Sequence, residues 1–423
     1  MNRILVFILA AVPALAQAPL KLTLADAEAL AVRQHPQIAG ARLATQAAGE
    51  VTRQVRSPLY PQLSGAATAV DTLSNSRIAA GFLNAPNLLS RTAAGVSVQQ
   101  LVTDFGRTTH LTGASRLHEQ SQASTETATR ASVLVEADRA YFRALRAQAV
   151  VRVAEQTVAA RQLIVDQVTA LAQSQLKSQL DVSFASLNLS DAKLLLETAR
   201  NEVQQAFADL SDTLGFPTVQ TFELEEATIA TAPEPDAQSL TRQSLMERPD
   251  LAALRFDRDS ALQFAQGERA LSHPTVSAAG VVGVTPFHDS TLSDRYAAAG
   301  VNVSIPILNG SLFSARRNEA DLRAQAAAER LRDAEDRVVR DVTVAWLGTR
   351  DAFERIGLTE QMVAQASLAL DLAQSRYDLG LSSIVELSQA QLNKTSAEIQ
   401  NLTSKYDFQI QSAVLKYQEG LLR

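Results

Sequence analysis

The sequence predicts a mixed, mainly α fold: long antiparallel helical hairpins, each preceded by a pair of β-strands, with the whole arrangement written twice. Three observations carry that prediction. The phrase AQSQLKSQLDVSFASLN at 172–188 is echoed by YDLGLSSIVELSQAQLN at 377–393, at a shift of 205 residues (381 − 176) that sets Leu176 on Leu381, Ser183 on Ser388 and Asn188 on Asn393. Two runs, 107–172 and 312–378, contain no proline and repeat apolar residues at helical spacing. Short segments before each run place apolar residues at alternate positions, as strands do.

The echo extends through the chain. The same shift pairs Tyr141 with Trp346, Gly95 with Gly300 and Gly215 with Gly420, and upstream a shift of 213 pairs Pro36 with Pro249, Arg42 with Arg255 and Pro61 with Pro274. RQHPQIAGAR at 33–42 thus answers MERPDLAALR at 246–255, and a short deletion between the strands of the second copy explains the change of shift. Repeat one covers 17–215, repeat two 246–423, and a linker of 216–245 joins them.

The first element expected is an export signal over residues 1–16. Met1-Asn2-Arg3 gives a short positive start, Ile4 to Val12 an apolar run, and Ala14-Leu15-Ala16 a cleavage site. That run is far below the ~20 residues of a spanning helix, and no later stretch is apolar for as long. The chain has no cysteine, so it carries no disulfide and no lipid-modified N-terminal Cys. Its net charge of −6 argues against a nucleic-acid partner, and 46% hydrophobic residues supply an ample core.

Each mature repeat opens with a helix, Leu24 to Arg56 and Leu251 to Leu271, ending before the X-Pro steps Tyr60-Pro61 and His273-Pro274. Strands are expected at 62–70 and 92–103, then at 275–284 and 296–306. In the second copy Val276, Ala278, Gly280, Val282 and Val284 alternate with Thr275, Ser277 and Gly283. Each run has the ~10-residue length of a tilted membrane strand. Tyr60, Phe105 and Phe313 at one set of strand ends, and Phe82, Phe287 and Tyr296 at the other, suit two interfacial girdles.

The long helices of 107–172 and 312–378 come next, each ~100 Å at ~1.5 Å per residue. Leu134, Ala137, Tyr141, Ala144 and Val151, with Leu331, Val338, Val342, Ala345 and Ile356, form coiled-coil seams in which alanines allow close approach. Return helices are expected at 181–214 and 384–419.

Four strands cannot span a lipid bilayer as an open sheet, because unpaired backbone groups find no partner in hydrocarbon. Closure needs strands from further copies, and three copies would give a twelve-stranded barrel continued by a cylinder of helices, that is, a conduit. Bacterial barrels of this kind lie in the outer membrane. The helices would then fill the periplasm, with the loops of 71–91 and 285–295 outside.

Four segments carry a family resemblance: LTLADAEALAVRQHPQI (22–38), QQLVTDFGR (99–107), SIPILNGS (304–311) and the phrase at 377–393. As an ordered, duplicated set they resemble the TolC-type outer membrane efflux protein family over essentially the whole mature chain. The resemblance implies a homotrimer, with a twelve-stranded β-barrel on an α-helical barrel and an equatorial belt that includes 216–245. It also implies docking to a periplasmic adaptor and an inner-membrane pump of the RND or ABC type, for efflux or type I secretion. By that resemblance Leu176, Lys177 and Ser178, with Gly380, Leu381 and Ser382, are the periplasmic tips that meet the adaptor. Asp181 and Glu386 would line the periplasmic gate, with Tyr377 packed beside it. The sequence departs from many relatives at Gln389, where a second acid is common, and at Ser382, where some carry Arg.

Enzymatic chemistry is not expected. His35, His110, His118, His273 and His288 lack metal-ligand spacing, and no phosphate-binding glycine loop or Ser-His-Asp set occurs, so no catalytic, cofactor or metal residue is assigned. His110 and His118 are expected on the solvated surface of a helix start. The competing class is a periplasmic coiled-coil structural or adhesion protein without a pore, which membrane-fraction trimers would exclude.

Overall fold

A computed structural model describes residues 20–422 apart from 74–76, 81–82, 88, 227–231, 233–235 and 291. The expected export signal of 1–16, the girdle residue Phe82 and part of the 216–245 linker lie outside the described residues. The elements run β1 (Leu20–Leu22), α1 (Leu24–Gln34), α2 (Pro36–Arg56), β2 (Gln62–Val70), β3 (Arg77–Ala80), β4 (Leu83–Asn87) and β5 (Arg91–Thr103). The first hairpin follows as α3 (Arg107–Gln173) and α4 (Gln179–Thr213), then β6 (Phe222–Leu224). The second copy is α5 (Ala237–Glu247), α6 (Pro249–Arg269), β7 (Thr275–His288), β8 (Arg295–Ser304), α7 (Leu312–Asp378) and α8 (Ile384–Glu419).

The duplication is visible in these boundaries. α1 and α5 start 213 residues apart (237 − 24), as do α2 and α6, and both ends of α3 and α7 are 205 apart (312 − 107, 378 − 173). Three expectations change. The first helix is not continuous over 24–56 but breaks at His35, whose backbone is extended (φ −67°, ψ 125°). A residue before proline is pushed out of the helical region, whereas proline itself opens a helix well, so Pro36 starts α2. Arg248 and Pro249 repeat that break (φ −65°, ψ 124°). The end of the expected linker is therefore α5, the counterpart of α1, capped by the Asp236 carboxylate accepting from the amides of Gln238 and Ser239. β8 ends at Ser304 rather than 306 because Pro306 has no N–H to give a ladder.

The chain divides into two compact units. One comprises 40–127 and 249–337 and holds a four-stranded antiparallel sheet in the order β2-β5-β7-β8. The central β5–β7 pairing joins the two repeats, with Ser97 opposite Val281 and Gln99 opposite Ala279. The registers sort the strands by polarity. Gln62, Ser64 and Thr68 share one face with Ser97 and Gln99, Thr275 and Ser277, and Asn302 and Ser304. Leu63, Val96, Val98, Val276, Val282, Val301 and Val303 share the other. On the polar face the Ser64 and Ser97 hydroxyls bond at 2.8 Å. The apolar face is bare: Leu63 is 74% and Val301 69% exposed. Both outer edges, β2 and β8, lack a strand partner among the described residues.

The strand-end aromatics divide. Tyr60, Phe105 and Phe287 are exposed, as girdle residues would be. Tyr296 is a correction: it lies opposite Gly283, on the polar face.

The other unit comprises 1–39, 128–248 and 338–423. β1 and β6 form a short parallel pair, Leu20 opposite Phe222. Fully buried Tyr141 fixes it to α3, its hydroxyl donating to the Leu22 and Glu225 carbonyls at 3.0 and 2.6 Å. Leu22, Ala27, Ala31, Leu210 and Leu214 complete this core. The expected seam residues Leu134, Ala137, Ala144, Leu331, Val338, Val342 and Ala345 are buried. No helix among the described residues is long and apolar enough to cross a membrane.

One buried group strains this core. Asp138 is 4% exposed and its Oδ1 has no hydrogen-bond partner. Burial first, then the Glu28 carboxylate, pushes its pKa up to about 8, against an opposing pull from Lys416. A folded pKa raised above the unfolded value contributes stability that is fully present at low pH and lost as pH rises toward about 8. Asp138→Asn should therefore gain stability over the parent as pH rises from 5 to 8, by about 1 kcal/mol per pH unit at most. Thermal unfolding across that pH range reads the gain; parallel pH profiles for the two proteins would refute it.

Candidate functional site

The repeated phrase forms the two hairpin turns, both in the second unit described above. Each turn is a helix C-cap followed at once by an N-cap. At the end of α3, Gln175 adopts the left-handed conformation (φ 60°), with its amide bonded to the Ala172 carbonyl at 3.0 Å and the Leu176 amide to the Leu171 carbonyl at 2.9 Å. At the end of α7, Gly380 does the same (φ 75°), with the Gly380 amide on the Tyr377 carbonyl at 3.0 Å and the Leu381 amide on Arg376 at 2.7 Å. This double bond pattern is the Schellman closure, which glycine enters without a Cβ penalty. Gln175 and Gly380 are 205 residues apart, so the duplication has kept the turn but not its glycine.

The return helices are capped by serine. Ser178 and Asp181 make a reciprocal capping box: the Asp181 amide donates to Ser178 Oγ at 3.2 Å, and Asp181 Oδ2 accepts from the Ser178 amide and hydroxyl at 3.0 and 2.9 Å. In the second copy Ser383, not Ser382, is the cap, accepting from the Glu386 amide at 3.4 Å. Ser382 keeps a buried hydroxyl oxygen without a partner.

Beneath the turns lies an apolar floor of Val168, Ala373, Tyr377, Ile384 and Leu387, drawn from both repeats. The Asn188 amide donates to Ser388 Oγ at 2.6 Å, and Ser388 donates to the Ile384 carbonyl at 2.7 Å, tying α4 to α8. Lys177 Nζ stands 3.9 Å over the centre of the Tyr377 ring, a cation–π contact between the two turns. The Tyr377 hydroxyl is buried without a partner, and its pKa is raised by burial first and then by the Asp181 and Asp378 charges. The structure thus brings Lys177, Tyr377 and Asp181 together. Glu386 is instead paired with Arg376, next to Tyr377 in the chain, at 3.2 Å.

Leucines at both turns stand in solvent among exposed polar residues. Leu176 and Leu381 are 71% and 68% exposed, and Leu180 and Leu379 are exposed beside them. Neighbouring leucines left in water are the usual mark of a contact surface. Sequence reasoning placed Leu176 and Leu381 at the tips but missed Arg376, which differs from its repeat counterpart Leu171 and so had no echo to mark it. Of the histidines, His110 is half-buried and bonded to Gln263 at 2.9 Å, a correction to its expected surface role; His118 is exposed beside Asp257. Among the described residues no group of His, Cys, Asp or Glu could hold a metal ion.

A sequence profile of the family described as outer membrane efflux protein matches residues 10–216 and 240–417, both repeats. The chain belongs to the outer membrane efflux protein family. Among the family's curated members it is 23% identical over 405 residues to the outer membrane protein TolC of Salmonella enteritidis, covering 92% of this chain and 80% of that one. TolC of Escherichia coli K12 is 24% identical over 409 residues, with the same coverage. Among solved structures, the outer-membrane channel OprN superposes with a TM-score of 0.81 at 18% identity, over 94% of this chain and 89% of OprN. The outer membrane protein VceC of Vibrio cholerae superposes at 0.79 and 18%, over 94% and 96%. The likeness to both structures shows a shared fold.

The turn geometry yields a direct expectation. A non-glycine residue in the left-handed region costs about 1 kcal/mol. Gln175→Gly should slow amide exchange of the first turn by about fivefold, and Gly380→Ala should speed that of the second by a similar factor. Hydrogen exchange on peptides covering 171–182 and 376–387 reads both; opposite shifts would refute the assignment.

Proposed function

We propose that three copies of this efflux-family protein assemble into the outer-membrane exit duct of a tripartite efflux or type I secretion system. The duct is passive; an inner-membrane pump reached through a periplasmic adaptor selects and drives the cargo. The observation that carries this reading is the two-faced, open-edged sheet. One face is apolar and suited to lipid, the other polar and suited to a water-filled lumen, and four strands leave two ladders to be completed by neighbouring copies. Three chains supply twelve strands, enough to enclose a channel.

The hairpin tips serve as the adaptor-docking surface, Leu176 and Leu381 presenting apolar anchors, with Lys177, Ser178 and Gly380 flanking them and Ser382 in the turn beneath, its hydroxyl buried. Asp181, Tyr377 and Glu386 form the gate region, in which the Lys177–Tyr377 contact and the Arg376–Glu386 pair hold the resting arrangement. Export by a cleaved signal and the absence of a lipid anchor belong to the same reading. No comparable observation favours a poreless coiled-coil scaffold, whose sheet would have no use for a bare apolar face.

Two measurements test this. The detergent-solubilised protein should have the protein mass of three chains and open channels in planar bilayers; a stable monomer without channel activity would overturn the duct. An exposed ion pair is worth about 0.5 kcal/mol, so Glu386→Ala or Arg376→Ala should raise channel opening or antibiotic leak about twofold. Unchanged conductance and leak in both variants would remove the pair from the gate.

A further inference from the structure

The polar face of the sheet carries one aromatic side chain among the described strand residues, and its placement is unusual. The registers set Gly95 of β5 opposite Gly283 of β7, and Gly283 opposite Tyr296 of β8. A Cβ on Gly283 would lie 2.4 Å from both Cζ and Oη of Tyr296, and a Cβ on Gly95 would lie 2.3 Å from the same hydroxyl. The tyrosine therefore lies down across two strands, its ring over Gly283 and its hydroxyl over Gly95, where the adjoining backbone, with the Val282 carbonyl oxygen 2.7 Å from a Gly95 Cβ, also leaves no room for a side chain. A ring laid over strand glycines shields backbone that has no side chain of its own. Just beyond, a register shift between Thr92 and Ala94 bends the same ladder. At the middle of this face the side chains are small or slender, among them Ser64, Ala66, Ser97 and Asn302, while the long ones stand toward its two ends, Gln62, Gln99 and Leu101 at one and Arg91 near Tyr296 at the other.

We propose that Tyr296 sets the bore of the strand barrel at its own height, and that Gly95 and Gly283 are the recess that keeps its ring flat against the wall. This rests on the duct reading, in which the polar face lines the lumen. Each copy contributes one such ring, so three rings lie at one level. Flat, they leave the passage clear and offer aromatic faces to passing solutes; displaced from the recess, they project from the wall and narrow it. Tyr296 is in that sense a size-determining residue, and the glycines are positioning residues for it. Tyr296 should tolerate Phe, which keeps the ring, while Gly283 should not tolerate Ala.

The experiment is single-channel conductance of the trimer in planar bilayers. Gly283→Ala should lower conductance roughly twofold by pushing the ring into the lumen, and Gly283→Ala/Tyr296→Ala should restore the parent value or exceed it. Because a Gly283 Cβ would also lie 2.6 Å from the Ala94 carbonyl oxygen, the double variant is the deciding arm. Conductance unchanged in the single variant, or equally low in the double, overturns the inference. Should the glycine variant not assemble, Tyr296→Cys in this cysteine-free chain provides an independent arm. Reaction of the introduced thiol with a bulky methanethiosulfonate should reduce current in up to three steps, and no reduction overturns the inference. A parent protein that opens no channel at all counts against the duct reading instead.

Discussion

The backbone edges of β2 and β8 are the constraint on which the rest depends. Each presents a row of N–H and C=O groups with no strand partner among the described residues. In water such an edge invites aggregation; in hydrocarbon each unpaired group costs several kcal/mol. The side chains intensify the problem, since Val282 and Val284 of β7 and Val301 and Val303 of β8 belong to an apolar face that a single chain leaves exposed. Lipid covers the face, but only another strand completes an edge. Pairing β2 of one copy with β8 of the next solves both edges with a single repeated interface, which a cyclic assembly uses at every position.

The tips show a different economy. A long helix must be stopped and its return started within a few residues, and both copies do so with a Schellman closure followed by a serine cap. Local hydrogen bonding of this kind satisfies the helix-end groups without burying the turn, and the leucines around it stay exposed. The two copies have diverged in how they hold the turns together. The first spends its acidic residue, Asp181, on its own cap; the second pairs Glu386 with Arg376. Any gating role of acidic residues is therefore asymmetric between the two hairpins. Lys177 over Tyr377 and the Asn188 amide on Ser388 are direct contacts between them.

Much of this was legible in the sequence, and the gaps have physical causes. The long helices were readable because proline-free runs with seam residues such as Ala137 and Val342 admit no other structure of that length. The strands were readable because Thr275 to Val284 places Val276, Ala278, Val282 and Val284 at alternate positions against Thr275, Ser277 and Gly283. The break at His35 was missed because helical spacing continues across Pro36; only the conformational bias of a residue before proline marks it. α5 was hidden because most of it, 237–245, falls inside the stretch assigned to the 216–245 linker. β1 and β6 are three residues each, too short for any period, and exist because Tyr141 binds the carbonyls of Leu22 and Glu225. Arg376 had no counterpart in the first repeat. Tyr296 was legible as a strand-end aromatic, but its face depends on register with Gly283, which a single strand cannot reveal.

The central claim is that the open edges are closed by neighbouring copies, and amide hydrogen exchange of the solubilised, reconstituted protein tests it most directly. If β2 of one chain pairs with β8 of the next, amides of 62–70 and 295–304 should be protected to within about tenfold of those in the central strands β5 and β7. Edge-strand amides that exchange freely while β5 and β7 remain protected would contradict the account.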